Sequence, residues 1–413
     1  MRIACCSHYF TPEIGAPSAR IHENAREWIA MGHAVDVVTC FPNHPAGKLY
    51  PGYKPALSMQ EDIDGIGVHR IWSYITPNKG LVRKTAGHMS FWLSALLLGK
   101  RRLPAPDLVI GTSPTFFAAM AAARLSARYR CPFVMEVRDL WPAVFIDLGI
   151  VRNRSLIRML ERWELALYRR ATRIVTVTES FRTNLVRRGV PEHKVFTIFN
   201  GADVDFWHPF KPPAERRDQL SLKDRFTVLY LGAFGISQAL TSVLECARIL
   251  KDEKDIEFLF VGDGAEKERL SRYAEEAGLG NVRFLAPVPK GKARELYALS
   301  DVCLVPLRNI PLFESFIPSK MFEIMAMGRP IVASVSGEAA DILNRSGGAI
   351  VVPPEGSKAV AEAIRSLYRN GDLRRCMGER GRDFVVAHYS RHSLAVEYAR
   401  ILHDAITDHG RKK

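Results

Sequence analysis

Lys320 and Glu323 stand three residues apart in the stretch FIPSKMFEIMAMGRPIVAS, residues 316–334, at the start of a short and otherwise apolar helical pattern. Residues 320, 323 and 327 recur on one face at helical spacing, and Met321, Ile324 and Met325 form the other, which suits packing on a sheet. An ammonium group at the positive end of a helix is poorly placed for the helix dipole, so Lys320 calls for an anionic partner. A glutamate one turn later can accept two hydrogen bonds from a vicinal diol such as that of a ribose. The plainer alternative is an i,i+3 ion pair on a solvated helix.

Three glycine-containing turns carry compatible chemistry. TPEIGAPSAR, residues 11–20, sets Gly15 and Ala16 before a helix that begins near Ser18. YLGAFGISQAL, residues 230–240, contains Gly232 and Gly235, and FVGDGAEKERL, residues 260–270, places Gly262 and Gly264 around Asp263. Small residues and free backbone N–H groups at a helix start suit an anion. Each turn could equally do no more than close a tight connection. Two such turns at the carboxyl ends of strands in one domain are more easily explained by a nucleotide lying against the backbone.

The elements that position these residues alternate along the chain. RIACCSHYF, HAVDVVTC, PDLVIGT, CPFVMEV, TRIVTVT and KVFTIFN read as strands, most of them with helical patterns between. A polar, Pro-rich stretch follows at 201–225, and the pattern restarts with FTVLYLG, IEFLFVG, VRFLAPV, DVCLVPL, PIVASV and AIVVPP. Strands apolar on both faces and separated by helices indicate parallel sheets covered on both sides. The fold class is therefore α/β, with two doubly wound, Rossmann-like domains at 1–200 and 226–385, a linker at 201–225, and a C-terminal helix at 386–413 packing back on the first domain. Ligands of such sheets bind beyond the carboxyl ends of the strands, so a cleft between the two domains is the expected site and Lys320 and Glu323 are expected to point along it.

The 413 residues carry a formal charge of +14, which requires an anionic counterpart, whether nucleic acid, membrane or phosphorylated ligand. No helix-turn-helix, zinc-finger or RNA-binding aromatic motif accompanies the charge, which argues against nucleic acid. The seven cysteines show no metal-ligand spacing and read as reduced residues of a cytoplasmic protein. MRIACCSHYF reads as a strand opening rather than a signal peptide. No DxD that would hold Mg²⁺ is read at the end of one of these strands, and no metal ion or other cofactor is expected.

Taken together, Gly15-Ala16, GHAVDVVT at 32–39, EVRDLWP at 136–142, FNGADVDFWHP at 199–209 and EIMAMGRPIVAS at 323–334 resemble glycosyltransferase family 4 over nearly the whole chain. GKLYPGY, RDLWP and IPSK make the likeness strongest to its O-antigen L-fucosamine transferases of bacterial polysaccharide assembly. The resemblance implies the GT-B fold and sugar transfer with retained anomeric configuration. The implied donor is a nucleotide sugar, with UDP and an N-acetylated amino or deoxyamino hexose expected here, and the implied acceptor a lipid-linked saccharide bound by the first domain. The resemblance puts Gly15 at the donor diphosphate with Arg20 a turn further on; Gly232, Gly235, Gly262 and Asp263 of the glycine turns, with Ser319, are further donor-binding candidates. Glu323 matches the second glutamate of the family's Glu-x7-Glu motif, on the ribose. The first glutamate of that motif would fall at Ser315, beside Glu314. The turn that normally holds an Arg and Lys clamp is GAFGISQAL here, and Lys320 takes its place in this reading. Arg138 stands where a histidine is usual, next to Asp139, which could orient the acceptor, assist proton removal, or cap a tight turn. Lys320, Arg138 and Asp139 are the catalytic candidates. An epimerase or hydrolase acting on a nucleotide sugar would share the fold but need no acceptor.

Segment 81–102, LVRKTAGHMSFWLSALLLGKRR, is apolar between basic ends and too short in its apolar run to span a bilayer. It reads either as a buried helix or as an interfacial one, with Phe91 and Trp92 inserting and Arg101 and Arg102 meeting anionic headgroups. VRNRSLIRMLERWELALYRR, residues 151–170, places Arg154, Arg158 and Arg162 on one stripe and Leu156, Leu160, Trp163 and Leu167 on another. Peripheral attachment to the inner face of the cell membrane follows from the interfacial reading.

Overall fold

A computed structural model describes the chain apart from residues 14, 45, 77–80, 114, 144–145, 147–150, 214, 221, 223–224 and 412–413, and apart from the side chains of 16, 81, 82 and 100–102. The chain forms two compact units, Met1–Asn200 with Arg391–Lys413, and Gly201–Ser390.

In the first unit the alternation runs β1 (Arg2–Cys6), α1 (Ala16–Ala30), β2 (Ala34–Cys40), β3 (Ser58–Ile63), β4 (Ile66–Ile71), α2 (Leu81–Arg102), β5 (Leu108–Thr112) and α3 (Phe116–Tyr129). It continues with β6 (Phe133–Val137), α4 (Arg154–Arg170), β7 (Arg173–Thr176), α5 (Glu179–Arg187) and β8 (Val195–Thr197). The sheet order is β3-β4-β2-β1-β5-β6-β7-β8. All neighbours are parallel except β3 and β4, a hairpin that the strand reading above omits. Its turn is Asp64-Gly65, both at positive φ (55° and 80°), a dipeptide suited to the tight turn between twisted strands. Alternating exposure along β3 marks it as an edge strand with one solvated face.

The second unit contains α6 (Glu215–Gln219), β9 (Phe226–Leu231), α7 (Leu240–Ile249), β10 (Ile256–Val261), α8 (Lys267–Glu276), β11 (Val282–Leu285), α9 (Lys290–Leu299) and β12 (Val302–Pro306). After these come α10 (Lys320–Ala326), β13 (Ile331–Ser334), α11 (Gly337–Ser346), β14 (Ala349–Val352), α12 (Ser357–Arg369) and α13 (Gly371–His388). Its sheet, β11-β10-β9-β12-β13-β14, is parallel throughout. In each sheet the winding direction reverses once, between β1 and β5 in the first and between β9 and β12 in the second. Loops diverge at such a point and leave a crevice beyond the strand ends.

Two expected boundaries shift. Residues 201–225 are part of the second unit rather than a free linker. Ala202 and Trp207 are buried, Trp207 packs edge-on against Tyr297 at 5.7 Å, and Arg382 donates to the Trp207 carbonyl at 3.0 Å. These anchors are too sparse to show as a periodic apolar pattern. The second crossing falls at Arg391 rather than 386, because Ser390 still pairs with Ala202 in a β-bridge. From Arg391 the last helix, α14 (Arg391–Arg411), packs on α1 of the first unit. Trp28 Nε1 donates to the Ala395 carbonyl at 3.2 Å and its ring meets Tyr398 at 5.2 Å, while Arg391 pairs with Glu23 at 2.8 Å.

Candidate active site

In the second unit the candidate donor residues gather at the sheet's switch point. β9 ends in Tyr230 and Leu231 and turns at Gly232, whose φ of 149° only glycine adopts freely. A Cβ on Gly232 would collide with the Lys320 ammonium group, and one on Gly262 (φ 147°) would collide with the Gly232 carbonyl. The turns after β9 and β10 therefore abut, and lysine from α10 closes beneath them. Lys320 Nζ lies 4.1 Å from the centroid of the Tyr230 ring, a cation–π contact in a desolvated place. Burial lowers its pKa to about 8, against the opposing pull of Glu323. The helix is amphipathic in a narrower way than its spacing predicts. Met327, grouped above with Lys320 and Glu323, is buried with Met321, Phe322, Ile324 and Met325, so only Lys320 and Glu323 stay on the partly exposed side. Glu323 also lies near the buried Tyr297 phenol, whose pKa is raised first by burial and then by that carboxylate.

The remaining donor candidates differ in availability. Asp263 is exposed and its Oδ1 accepts from the Gly264 N–H at 2.9 Å, which is local turn chemistry. Gly235 has ordinary backbone geometry (φ −106°), and its N–H bonds Gln238 Oε1 at 3.1 Å. Ser319 stands before α10 with no side-chain cap bond. Ser315 Oγ donates to the Leu312 carbonyl at 2.8 Å, whereas Glu314 beside it is exposed. A residue not singled out in the sequence is Arg308, exposed just past β12, whose backbone N–H bonds the Ser237 carbonyl at 2.9 Å across the switch point. Its only sequence signal is its place after a strand.

In the first unit Gly15 (φ 155°) precedes α1 and is exposed; a Cβ there would lie in ordinary contact with the Pro17 ring, at 3.7 Å. Arg138 Nη1 donates to the Pro17 carbonyl in the first turn of α1 at 3.0 Å, so Gly15 and Arg138 are brought together. Ser113, after β5, accepts from the backbone N–H groups of Arg138 (2.7 Å) and Asp139 (3.2 Å) and so sets the loop after β6. Burial lowers the Arg138 pKa to about 10 and raises that of Asp139 to about 6, with Arg138 opposing the latter. Among the described residues no hydrogen bond reaches the Asp139 carboxylate, so it is not a turn cap. Arg20, expected at a diphosphate, is not available. Its guanidinium is buried and donates to Glu136 (3.0 Å), Phe199 O (2.9 Å), Asn200 Oδ1 (3.0 Å) and Ile198 O (2.9 Å). It is a strut joining α1, β6 and the segment after β8.

Two family models match the two units in order: a glycosyl transferase 4-like domain over residues 15–201 and glycosyl transferases group 1 over residues 213–384. The chain belongs to the glycosyltransferases built from these two domains. It is 26% identical over 356 residues to the putative colanic acid biosynthesis glycosyl transferase WcaI of Escherichia coli, covering 82% of this chain and 85% of that one. It is 25% identical over 296 residues to the probable glycosyltransferase WbjE of Pseudomonas aeruginosa, covering 70% and 73%. In fold it matches the sucrose-phosphate synthase of Thermosynechococcus elongatus with a TM-score of 0.78 at 19% identity, covering 99% of this chain and 100% of that one. With Anabaena HepE in complex with UDP-glucose the TM-score is 0.72 at 16% identity, covering 98% and 100%. The fold is GT-B.

The basic and apolar helices of this glycosyltransferase both pack against α3. Phe91 is fully buried and packs on His8 at 5.2 Å, and Leu167 is buried too, so neither can insert into a membrane. Trp92 is half-buried. The side chains of Arg101 and Arg102 lie outside the described residues. Exposed instead are Met89, Leu93 and Leu97 on α2, one helical row, and Leu156, Met159 and Trp163 on α4, alongside exposed Arg154, Arg158 and Arg162. The whole face of a helix, not its run of apolar letters, decides which side chain is outward. No helix among the described residues is long and apolar enough to cross a membrane.

Proposed function

We propose that this glycosyltransferase moves a sugar from a nucleotide-diphosphate donor, UDP in the favoured reading, to a lipid-linked saccharide acceptor in bacterial surface polysaccharide assembly. Retained anomeric configuration, no metal requirement and an N-acetylated amino or deoxyamino hexose belong to the same reading, with O-antigen assembly as its setting. The observation that carries it is the Lys320 ammonium group held beneath the Gly232 turn at the switch point, with the Glu323 carboxylate one turn on. An anion bound at that turn would meet a preformed positive charge, and a ribose diol a carboxylate. The names of WcaI and WbjE, and the UDP-glucose held by HepE, point the same way.

In the reaction, the bond from the anomeric carbon to the diphosphate oxygen breaks and the acceptor hydroxyl bonds that carbon from the same face. Its proton passes to the leaving phosphate, or to Asp139. Lys320 and backbone N–H dipoles stabilise the charge that grows on the departing diphosphate. The exposed rows on α2 and α4, with their arginines, would hold the protein on the anionic inner face of the membrane, where such an acceptor resides. The test is a thermal-shift screen of nucleotide sugars, followed by transfer assays with lipid diphosphate saccharides. A sugar donor that stabilises the fold and is consumed only when acceptor is present supports transfer. Consumption that is unaffected by acceptor would favour a hydrolase or epimerase instead.

A further inference from the structure

The carboxyl ends of β1 and β2 and the first turns of α2 assemble a basic cluster that the reading above leaves unused. The His8 ring meets His88 edge-on at 4.4 Å, and Tyr9 lies between His44 (5.0 Å) and His88 (6.4 Å). Lys84, one turn before His88 and exposed, faces all three histidines. His8 is only 6% exposed, and its Nδ1 has no hydrogen-bond partner. A buried polar atom left unpaired calls for an explanation such as a ligand. The Glu13 carboxylate, beside the His44 backbone, is engaged by main-chain donors: it accepts from the backbone N–H groups of Phe10 (3.3 Å), Asn43 (2.7 Å) and His44 (2.8 Å). Arg70, which faces Glu13, is held by Glu61 and by the Cys40 carbonyl.

We propose that His8, His44, His88 and Lys84 form a binding site for a phosphoryl group of the acceptor, with Lys84 and His88 donating directly. The proposal rests on the transfer reading, because only a transferase needs an acceptor. A packed aromatic cluster accounts for Phe91 against His8, but it does not account for four basic groups converging around an unpartnered nitrogen. Burial, and then Lys84, holds His88 down to about 4, and burial followed by His88, Lys84 and His44 lowers His8. In the empty site these rings are neutral at pH 7. A bound dianion favours their charged forms, so binding takes up protons and must tighten as pH falls from 8 towards 5.

The probe is inorganic pyrophosphate added to the full chain, followed by histidine-ring NMR and by calorimetry at pH 8 and pH 6. The rings of His8 and His88 should shift, binding should be tighter at pH 6, and protons should be taken up. Lys84→Gln and His88→Gln should each weaken binding about tenfold, the loss of one charge-assisted hydrogen bond, without lowering the melting temperature. Rings that do not respond to pyrophosphate, or binding that is indifferent to pH, would overturn the proposal. So would displacement of pyrophosphate by saturating UDP, which would give the site to the donor. A response that persists with UDP bound supports an acceptor phosphoryl site. Failure of the transfer reading would appear separately, as a wild-type protein that no nucleotide sugar stabilises or that consumes its donor without regard to acceptor.

Discussion

The Lys320 ammonium group fills the space where any side chain at Gly232 would stand, and it rests on the ring of Tyr230. The turn and the charge are thus made for each other, at a cost to the empty protein. A pKa lowered from 10.5 to about 8 corresponds to about 3 kcal/mol against the charged lysine. The unfolded chain binds this proton more tightly between those values, so stability should rise with pH from about 8 to 10.5. Lys320→Met should raise the melting temperature at pH 7 and remove that rise. It should also lower kcat by about 10²-fold, as for loss of one preorganised donor. A variant that melts below wild type at pH 7 would make Lys320 structural.

Asp139 gives an acidic limb. Its pKa is raised to about 6 by burial, so as a proton acceptor it is ionised, and competent, only above that value. The profile of kcat/KM should fall below pH 6, and Asp139→Asn should lower kcat by about 10²-fold or more and abolish the limb. Retention of both rate and limb in the variant would leave the leaving phosphate as sole proton acceptor.

Arg20→Gln should act on stability. It leaves Glu136 buried without its guanidinium partner, an exchange that costs about 3–5 kcal/mol. The melting transition should drop by several degrees before any change in donor KM is seen. A donor KM that rises at unchanged melting temperature would restore the diphosphate role.

That correction shows where the sequence is readable. Twelve strands could be located from their apolar runs, most of them because the interior strands of a parallel sheet are covered on both faces and read as nearly continuous. The edge strand β3 was hidden because it alternates, and β4, an interior strand, was missed along with it; only Asp64-Gly65 marks the hairpin. Lys320 was legible because an isolated charge interrupts an apolar helix. Arg20 looked the same from its letters; what distinguishes it is that its partners lie 116 and 178–180 residues away, at Glu136 and Ile198–Asn200. His8, His44 and His88 come from three separate loops and helices, and no spacing joins them.

Glu323→Ala should raise the donor KM with the melting temperature nearly unchanged, since the carboxylate is partly exposed on a helix whose buried face is apolar. Of the two residues at the missing first position of the motif, Ser315 is tied to its own turn while Glu314 is exposed. Glu314→Gln should therefore impair turnover of the sugar donor while leaving UDP binding intact, and Ser315→Ala should do neither. The reverse ranking in steady-state kinetics would assign the sugar contact to Ser315.

Membrane attachment should depend on the outward rows rather than on the apolar run as written. Basic residues near an anionic surface contribute about 1 kcal/mol each, a charge term that weakens with salt, whereas inserted apolar side chains hold at any ionic strength. High salt should release part of the protein from anionic vesicles, and detergent the rest. Replacing Arg154, Arg158 and Arg162 by serine should remove the salt-sensitive part. Replacing Met89, Leu93 and Leu97 by serine should remove the salt-resistant part, with little loss of stability because all three are exposed, at 44%, 48% and 73%. Phe91→Ser, by contrast, should destabilise the first unit, because a fully buried aromatic ring is lost from its packing. Both sets of serine variants should keep turnover of a soluble, short-chain acceptor. If wild-type protein does not sediment with anionic vesicles at low salt, α2 and α4 are ordinary surface helices and the acceptor must be delivered in another way.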